Sequence, residues 1–86
     1  MNEDLKKAII TDGIEELQRC SAMIEETASD TLIPHEKAAL ARMLYAYHSG
    51  TADKDDAAAA YRGVVDFLWM AFRISHIEKM DLLDLL

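Results

Sequence analysis

The amino-acid sequence predicts an all-α fold, a small bundle of three long helices. The C-terminal segment either forms a short fourth helix or continues the third. Glycine and proline are scarce, at three and one among 86 residues, and good helix formers are abundant. Apolar residues recur at helical spacing, without the alternation that marks a strand. The length predicts one domain, residues 1–86.

The first helix is predicted over about residues 2–27. Its apolar face combines Leu17, Cys20 and Ile24 with further apolar residues towards the N-terminus, Leu5 and Ile9 among them. Asp12 and Glu15 have the spacing of a capping box, and Gly13 between them disfavours helix by about 1 kcal/mol relative to alanine. Two alternatives therefore stay open, an interruption at Gly13 and a continuous helix.

Two further helices follow a loop at residues 28–33. Pro34 suits the first turn of a helix over residues 34–48, and Gly50 is placed for a left-handed cap at its end. The third helix is predicted from Asp53 to about Ile74. Its first turn carries several carboxylates, which complement the helix dipole, and its alanines at positions 57–60 allow close helix packing.

The C-terminal segment is predicted either as a separate helix over residues 76–86 or as a continuation of the third helix. Ser75 and Glu78 form a capping-box pattern, which favours a new start there. The leucines that follow surround the helix axis, so this segment is expected to be buried. Leu82–Leu86 also matches a helical docking motif of the LxxLL type, but packing into the core is the favoured interpretation.

Trp69, the only tryptophan, is the strongest candidate for a binding site. Helical spacing predicts one buried face on the third helix, formed by Tyr61, Val64, Val65, Leu68 and Phe72. A second stripe on the same helix holds Arg62, Asp66, Trp69 and Arg73. In this stripe Arg62 is expected to pair with Asp66, and Arg73 to lie over the Trp69 ring.

A tryptophan among charges is typical of interface anchors, and Tyr45 and Tyr47 would extend the patch if they face outward. The alternative is that Trp69 packs into the core between helices. These two interpretations of Trp69 give opposite expectations for its solvent exposure.

No arrangement of residues predicts an enzyme, a metal site or a cofactor site. Cys20 stands alone and favours a packing role over a reactive thiol. The three histidines lack the spacing of a zinc motif. The aspartates from position 53 resemble the start of a calcium loop, but Val64 occupies the place that needs a bidentate glutamate.

The net charge of −7 and the scattered basic residues disfavour direct nucleic-acid binding. Solubility is the favoured explanation of this charge, and mimicry of a nucleic acid is the alternative. Either role would use an acidic surface of Asp53, Asp55, Asp56, Glu15, Glu16, Glu25 and Glu26. No run of eighteen apolar residues and no signal-peptide pattern is found, so no membrane partner and a cytoplasmic location are expected.

Together these observations favour a non-enzymatic module that binds a larger protein and inhibits or regulates it. A small acidic chain of this kind suits an inhibitor carried by a phage or mobile element, for instance one aimed at a host defence nuclease complex (anti-CRISPR-like). That comparison is one of size and charge, not of residues. The alternative is a self-assembling helical module, a homodimer or larger, without an inhibitory role.

Overall fold

The chain forms four α-helices in a computed structural model that describes residues 3–28 and 31–86, with side chains described from residue 13 onward within those ranges. The helices are α1 (Glu3–Ala28), α2 (Pro34–Ser49), α3 (Lys54–Met70) and α4 (His76–Leu83). The prediction of an all-α bundle is confirmed, and the fourth helix is separate. The predicted start at residue 2, the side chains of Leu5, Ile9 and Asp12, and part of the 28–33 loop lie outside the described residues.

The helices pack in a cyclic order, with contacts between α1 and α2, α2 and α3, α3 and α4, and α4 and α1. Neighbours run antiparallel because short turns connect them. Two side-chain contacts fix the direction of α4. In its first turn, the Glu78 carboxylate accepts a hydrogen bond from the Thr31 hydroxyl at 2.8 Å. Just after its last turn, the Leu85 carbonyl accepts a hydrogen bond from the His48 ring at 2.9 Å.

Helix α1 continues through Gly13 without the interruption that the sequence left open. The glycine permits a close approach between α1 and α2. A Cβ atom at position 13 would lie 3.3 Å from the Tyr45 hydroxyl oxygen, which is tighter than an ordinary van der Waals contact. Close packing against Tyr45 therefore explains the glycine. Helix α1, with 26 residues, stays continuous although glycine destabilises a helix interior.

The turn between α2 and α3 follows the expected helix signals. Gly50 adopts a φ of 73°, the left-handed conformation that glycine accommodates best. Asp53 caps α3, and its Oδ1 accepts hydrogen bonds from the amides of Asp55 and Asp56 at 3.0 and 3.1 Å. These contacts satisfy amides that lack partners in the first turn of a helix.

The core lies along the axis of the bundle, where all four helices contribute buried side chains. Cys20 and Ile24 of α1 meet Leu40 and Leu44 of α2. Tyr61 of α3 is fully buried, and its hydroxyl donates a 2.6 Å hydrogen bond to the Leu82 carbonyl. Val65, Leu68 and Leu82 complete the centre of the core.

Helix α3 ends at Met70, four residues earlier than predicted, and this changes the position of everything after it. Phe72 has a φ of 61°, and the chain reverses there. The Phe72 amide donates to the Trp69 carbonyl at 3.0 Å, and the Arg73 amide donates to the Leu68 carbonyl at 2.8 Å. These two bonds form a Schellman motif, which closes a helix with one left-handed residue.

The new helix α4 begins at once, because Ser75 is its N-cap. The Ser75 hydroxyl accepts from the Glu78 amide at 3.1 Å, while the Ser75 amide donates to the Glu78 carboxylate at 3.0 Å. This capping box confirms the predicted restart and excludes one long helix. Burial of Leu82 and the partial burial of Leu83, Leu85 and Leu86 confirm that the C-terminal leucines pack on the core.

Among the described residues, no helix combines the length and the apolar character needed to cross a bilayer.

Candidate functional site

Trp69 lies at the surface between α3 and α4, where two residues of α4 contact its ring. The Lys79 ammonium lies 4.0 Å from the ring centroid, and the His76 ring packs at an angle with its centroid 6.2 Å away. Lys79 also lies 3.5 Å from a carboxylate oxygen of Asp66. The side chain remains 39% exposed, so Trp69 is neither a core residue nor free of neighbours.

The predicted stripe is divided by the early end of α3. Asp66 pairs with Lys79 rather than with Arg62, which is exposed. Arg73 follows the reversal at Phe72 and therefore does not lie over Trp69. Its guanidinium binds the carboxylate of Glu36 on α2 at 2.7 Å, which fastens the turn to the start of α2. The expected contact of Arg73 was wrong because helical spacing does not extend past Met70, and that of Arg62 was wrong because Lys79 of α4 takes its partner Asp66.

Phe72 is the most unusual residue of the structure. It was predicted to lie on the buried face of α3, yet 95% of it is exposed. The buried position after the turn is taken by Ile74 instead. Phe72 occupies the left-handed position of a Schellman motif, where glycine is usual, and a bulky residue there costs about 1–2 kcal/mol. No burial within the described chain offsets that cost.

A groove of about 490 Å³ opens beside Phe72, at the corner where α3 turns into α4. Its apolar walls come from Trp69, Met70 and Ile74, and its polar edge from Ser75 and His76. Phe72 also lines the groove, although it is almost fully exposed. A groove of this size with apolar walls and few polar groups is of the kind that receives an apolar side chain of a ligand or protein.

Exposed large apolar residues are frequent in the part of the chain that forms this groove. The described residues expose eight such side chains, and six of them fall between positions 67 and 80. Three of these six, Trp69, Met70 and Phe72, line the groove, and we name them the corner surface. Concentrated exposure of this kind marks interaction sites, whereas single exposed apolar residues are ordinary.

Tyr45 and Tyr47 lie at the other end of the bundle and do not extend the corner surface. Tyr47 contacts Lys54, whose ammonium lies 4.8 Å from the ring centroid. Trp69 follows Lys54 by fifteen residues in the same helix, which separates the two by roughly 22 Å. Tyr45 packs against the core and approaches Gly13.

The candidate acidic residues are distributed along the bundle. Asp53, Asp55 and Asp56 lie at the start of α3, where Asp53 acts as the cap. Glu16 pairs with Arg19 at 2.7 Å, and Glu25 pairs with Lys37 of α2 at 2.9 Å. Glu15 adjoins Glu16 in the sequence and Glu26 adjoins Glu25, and both Glu15 and Glu26 are exposed. The structure thus separates one group at the start of α3 from two pairs along α1.

The described side chains offer little for catalysis. No three of their histidine, cysteine, aspartate and glutamate residues are grouped as metal ligands. Cys20 is buried, and burial, with Glu16 as a further cause, raises the pKa of its thiol. Tyr61 is also buried, and burial raises the pKa of its hydroxyl. Both groups therefore stay protonated and pack in the core.

Sequence reasoning found Trp69 but missed the residues that surround it. Phe67 and Met70 fall outside the buried face at helical spacing, so their exposure could have been predicted from the sequence. The capping box at Ser75 also required the chain to leave α3 before that residue. The contact from Lys79 had no signal in the sequence, because it depends on how α4 folds back.

Searches of protein-family profiles, of curated proteins and of solved structures find no match to this chain.

Proposed function

We propose that this chain is a non-enzymatic protein-binding module, which docks its corner surface on a larger protein and thereby inhibits or regulates it. The observation that carries the proposal is Phe72, a strained aromatic residue that is almost fully exposed. Backbone strain persists where a function requires it, because a residue with lower strain is otherwise available by mutation.

The neighbouring side chains support the same role. Trp69 is held against Lys79 and His76, so its ring loses little conformational freedom when a partner covers it. Trp69 and Phe72 stand on either side of an apolar groove, an arrangement suited to an anchor residue of the partner. Charges at the edge, Asp66 and Arg73, provide a polar rim.

A more specific version of this proposal is an inhibitor from a phage or mobile element that acts on a host defence nuclease complex. Its support is the net charge of −7 on a short chain. In that version the acidic residues, above all those at the start of α3, would face a basic groove of the target. Binding would then weaken steeply with salt, and its association rate would fall when Asp55 and Asp56 are changed to asparagine.

The test is capture of a partner from an extract of the cells in which the chain is made. Wild type is compared with Phe72→Asn, because asparagine tolerates the left-handed conformation and keeps the turn. Ile14→Asn is the matched control, since Ile14 is 51% exposed and lies on α1, away from the corner surface. A protein held by wild type and by the control, but lost with Phe72→Asn, is the expected result. Equal capture by all three chains would contradict the proposal.

Self-assembly is a second candidate, favoured by the concentration of exposed apolar side chains at one corner. It predicts that the pure protein associates and captures no other protein, whereas docking on a larger protein predicts a complex with that protein when it is added.

A further inference from the structure

We infer that the free protein pairs with a second copy of itself through the corner surface, each copy placing Phe72 in the groove of the other. This inference rests on the proposed protein-binding role of that surface, and it identifies a second copy of the chain as a binding partner. Three properties of the corner support this pairing: its shape, its exposed area and its charge.

The shape of the corner meets the requirement of a two-fold interface. Such an interface uses one patch twice, so the patch must hold both a projection and a matching recess. Phe72 borders the groove with 95% of its surface exposed, and the groove measures about 490 Å³. The walls formed by Trp69, Met70 and Ile74 are apolar, as an inserted phenyl ring requires.

The area is also sufficient. From exposed fractions of 39%, 69% and 95%, the three side chains of the corner surface present on the order of 400 Å². A stable interface of ordinary size buries about 800 Å² on each partner. A little over half of such an interface is apolar, so the corner surface supplies roughly the apolar share, and the exposed polar side chains beside it, Arg73, Ser75 and His76, supply the remainder.

The distribution of charge places the acidic residues away from such a contact. Residues 62–80 contain three basic and two acidic side chains, although the whole chain has a net charge of −7. The carboxylates of Asp53, Asp55 and Asp56 lie at the opposite end of α3. Two copies joined at their corners therefore keep these groups far apart, and the remaining repulsion is long-range and screened by salt.

Sedimentation equilibrium of the pure protein tests this pairing over concentrations from micromolar to millimolar. Wild type is expected to shift from one chain to two. Phe72→Asn and Met70→Lys, which change the projection and the groove wall at exposed positions, are expected to weaken dimerisation at least tenfold. Ile14→Asn is expected to leave it unchanged. Raising the salt from about 50 to 500 mM should strengthen pairing or leave it equal, since it screens the repulsion.

Mixing the two corner variants tests the reciprocal seating of Phe72. A pair formed by Phe72→Asn and Met70→Lys retains one groove with its Met70, Trp69 and Ile74 walls intact and one phenyl ring to fill it, so the mixture should dimerise more tightly than either variant alone. A mixture no better than its parts would overturn the reciprocal arrangement. Circular dichroism and thermal unfolding establish that each variant is folded.

A wild-type chain that stays single at every concentration would overturn the pairing, and so would a dimer that Phe72→Asn leaves intact. Neither result decides the proposed function. If the chain is single and still captures another protein through Phe72, the inference fails and the proposed function stands. If it pairs through Phe72 and captures no other protein, the inference stands and docking on a larger protein fails.

Discussion

The amide of Phe72 donates a hydrogen bond to the carbonyl of Trp69, 3.0 Å away, and this contact joins the two aromatic residues of the proposed binding corner. The bond belongs to the motif that ends α3. The same turn therefore stops the helix, exposes the phenyl ring and leaves Trp69 at the edge of the groove. The proposed binding surface and the helix terminus are therefore one structural feature.

Replacement of Phe72 by glycine should stabilise the fold and abolish binding. Glycine adopts a φ of 61° without strain, and the lost phenyl ring makes almost no contact because it is 95% exposed. We expect a gain of about 1 kcal/mol, or roughly 4–8 °C in the unfolding midpoint of a domain of this size. Thermal unfolding followed by circular dichroism measures the change. A lower midpoint would show that Phe72 is a packing residue.

Alanine at Gly50 and alanine at Gly63 should change stability in opposite directions. Both sites have room for a methyl group, since no atom lies within 4 Å of the added Cβ. Gly50 has a φ of 73°, so Gly50→Ala should cost about 1 kcal/mol. Gly63 lies inside α3, where Gly63→Ala should gain about 1 kcal/mol. Urea unfolding of the two variants tests the pair, and effects of equal sign would contradict the account.

Removal of the Tyr61 hydroxyl should loosen the attachment of α4. Tyr61→Phe removes one of the hydrogen bonds to the Leu82 carbonyl, which still accepts from the Leu85 amide at 3.2 Å, so the expected loss is that of a single hydrogen bond, about 1 kcal/mol. Tyr47→Phe is the control, because the Tyr47 ring lies near the surface against Lys54. Urea unfolding gives the free energies, and hydrogen exchange of the α4 amides locates the effect. Similar losses in the two variants would argue against a special role of the bond.

Glu78 should make the fold less stable in acid. Its hydrogen bond from the Ser75 amide, supported by the hydroxyls of Thr31 and Ser75, holds the pKa of this carboxyl below its ordinary value of 4.5 despite some desolvation. The ionised carboxylate therefore stabilises the folded state above pH 4.5, and this contribution is lost as the pH falls through the lowered pKa. Glu78→Gln should flatten that part of the stability curve between pH 2 and 5. An unchanged slope would contradict the assignment.

The parts of the fold that could be predicted from the sequence are those marked by local signals. Pro34, Gly50 and the Ser75–Glu78 pair mark helix ends by their own chemistry, so those ends were predicted within a residue or two. Gly13 was ambiguous because its reason lies in Tyr45, a residue 32 positions later. The end of α3 was missed because no glycine or proline marks it, and a phenylalanine stands where glycine is usual.

The candidate site was predictable only in part for the same reason. Trp69 followed from helical spacing within α3, whereas Arg73 and Phe72 were placed by extending that spacing beyond Met70. The contacts of Trp69 with His76 and Lys79 depend on the path of α4. Such contacts between helices have no period in the sequence, so only the folded structure supplies them.

Photo-cross-linking from position 72 tests most directly whether the corner surface binds protein. The residue p-benzoyl-phenylalanine in place of Phe72 keeps an aromatic side chain there, and the same residue in place of Ile14 serves as the control. After irradiation in an extract of the producing cells, we predict defined cross-linked species from position 72, either with another protein or with a second copy, and none of them from position 14. An absence of cross-links from position 72, or an identical pattern from both positions, would contradict the account.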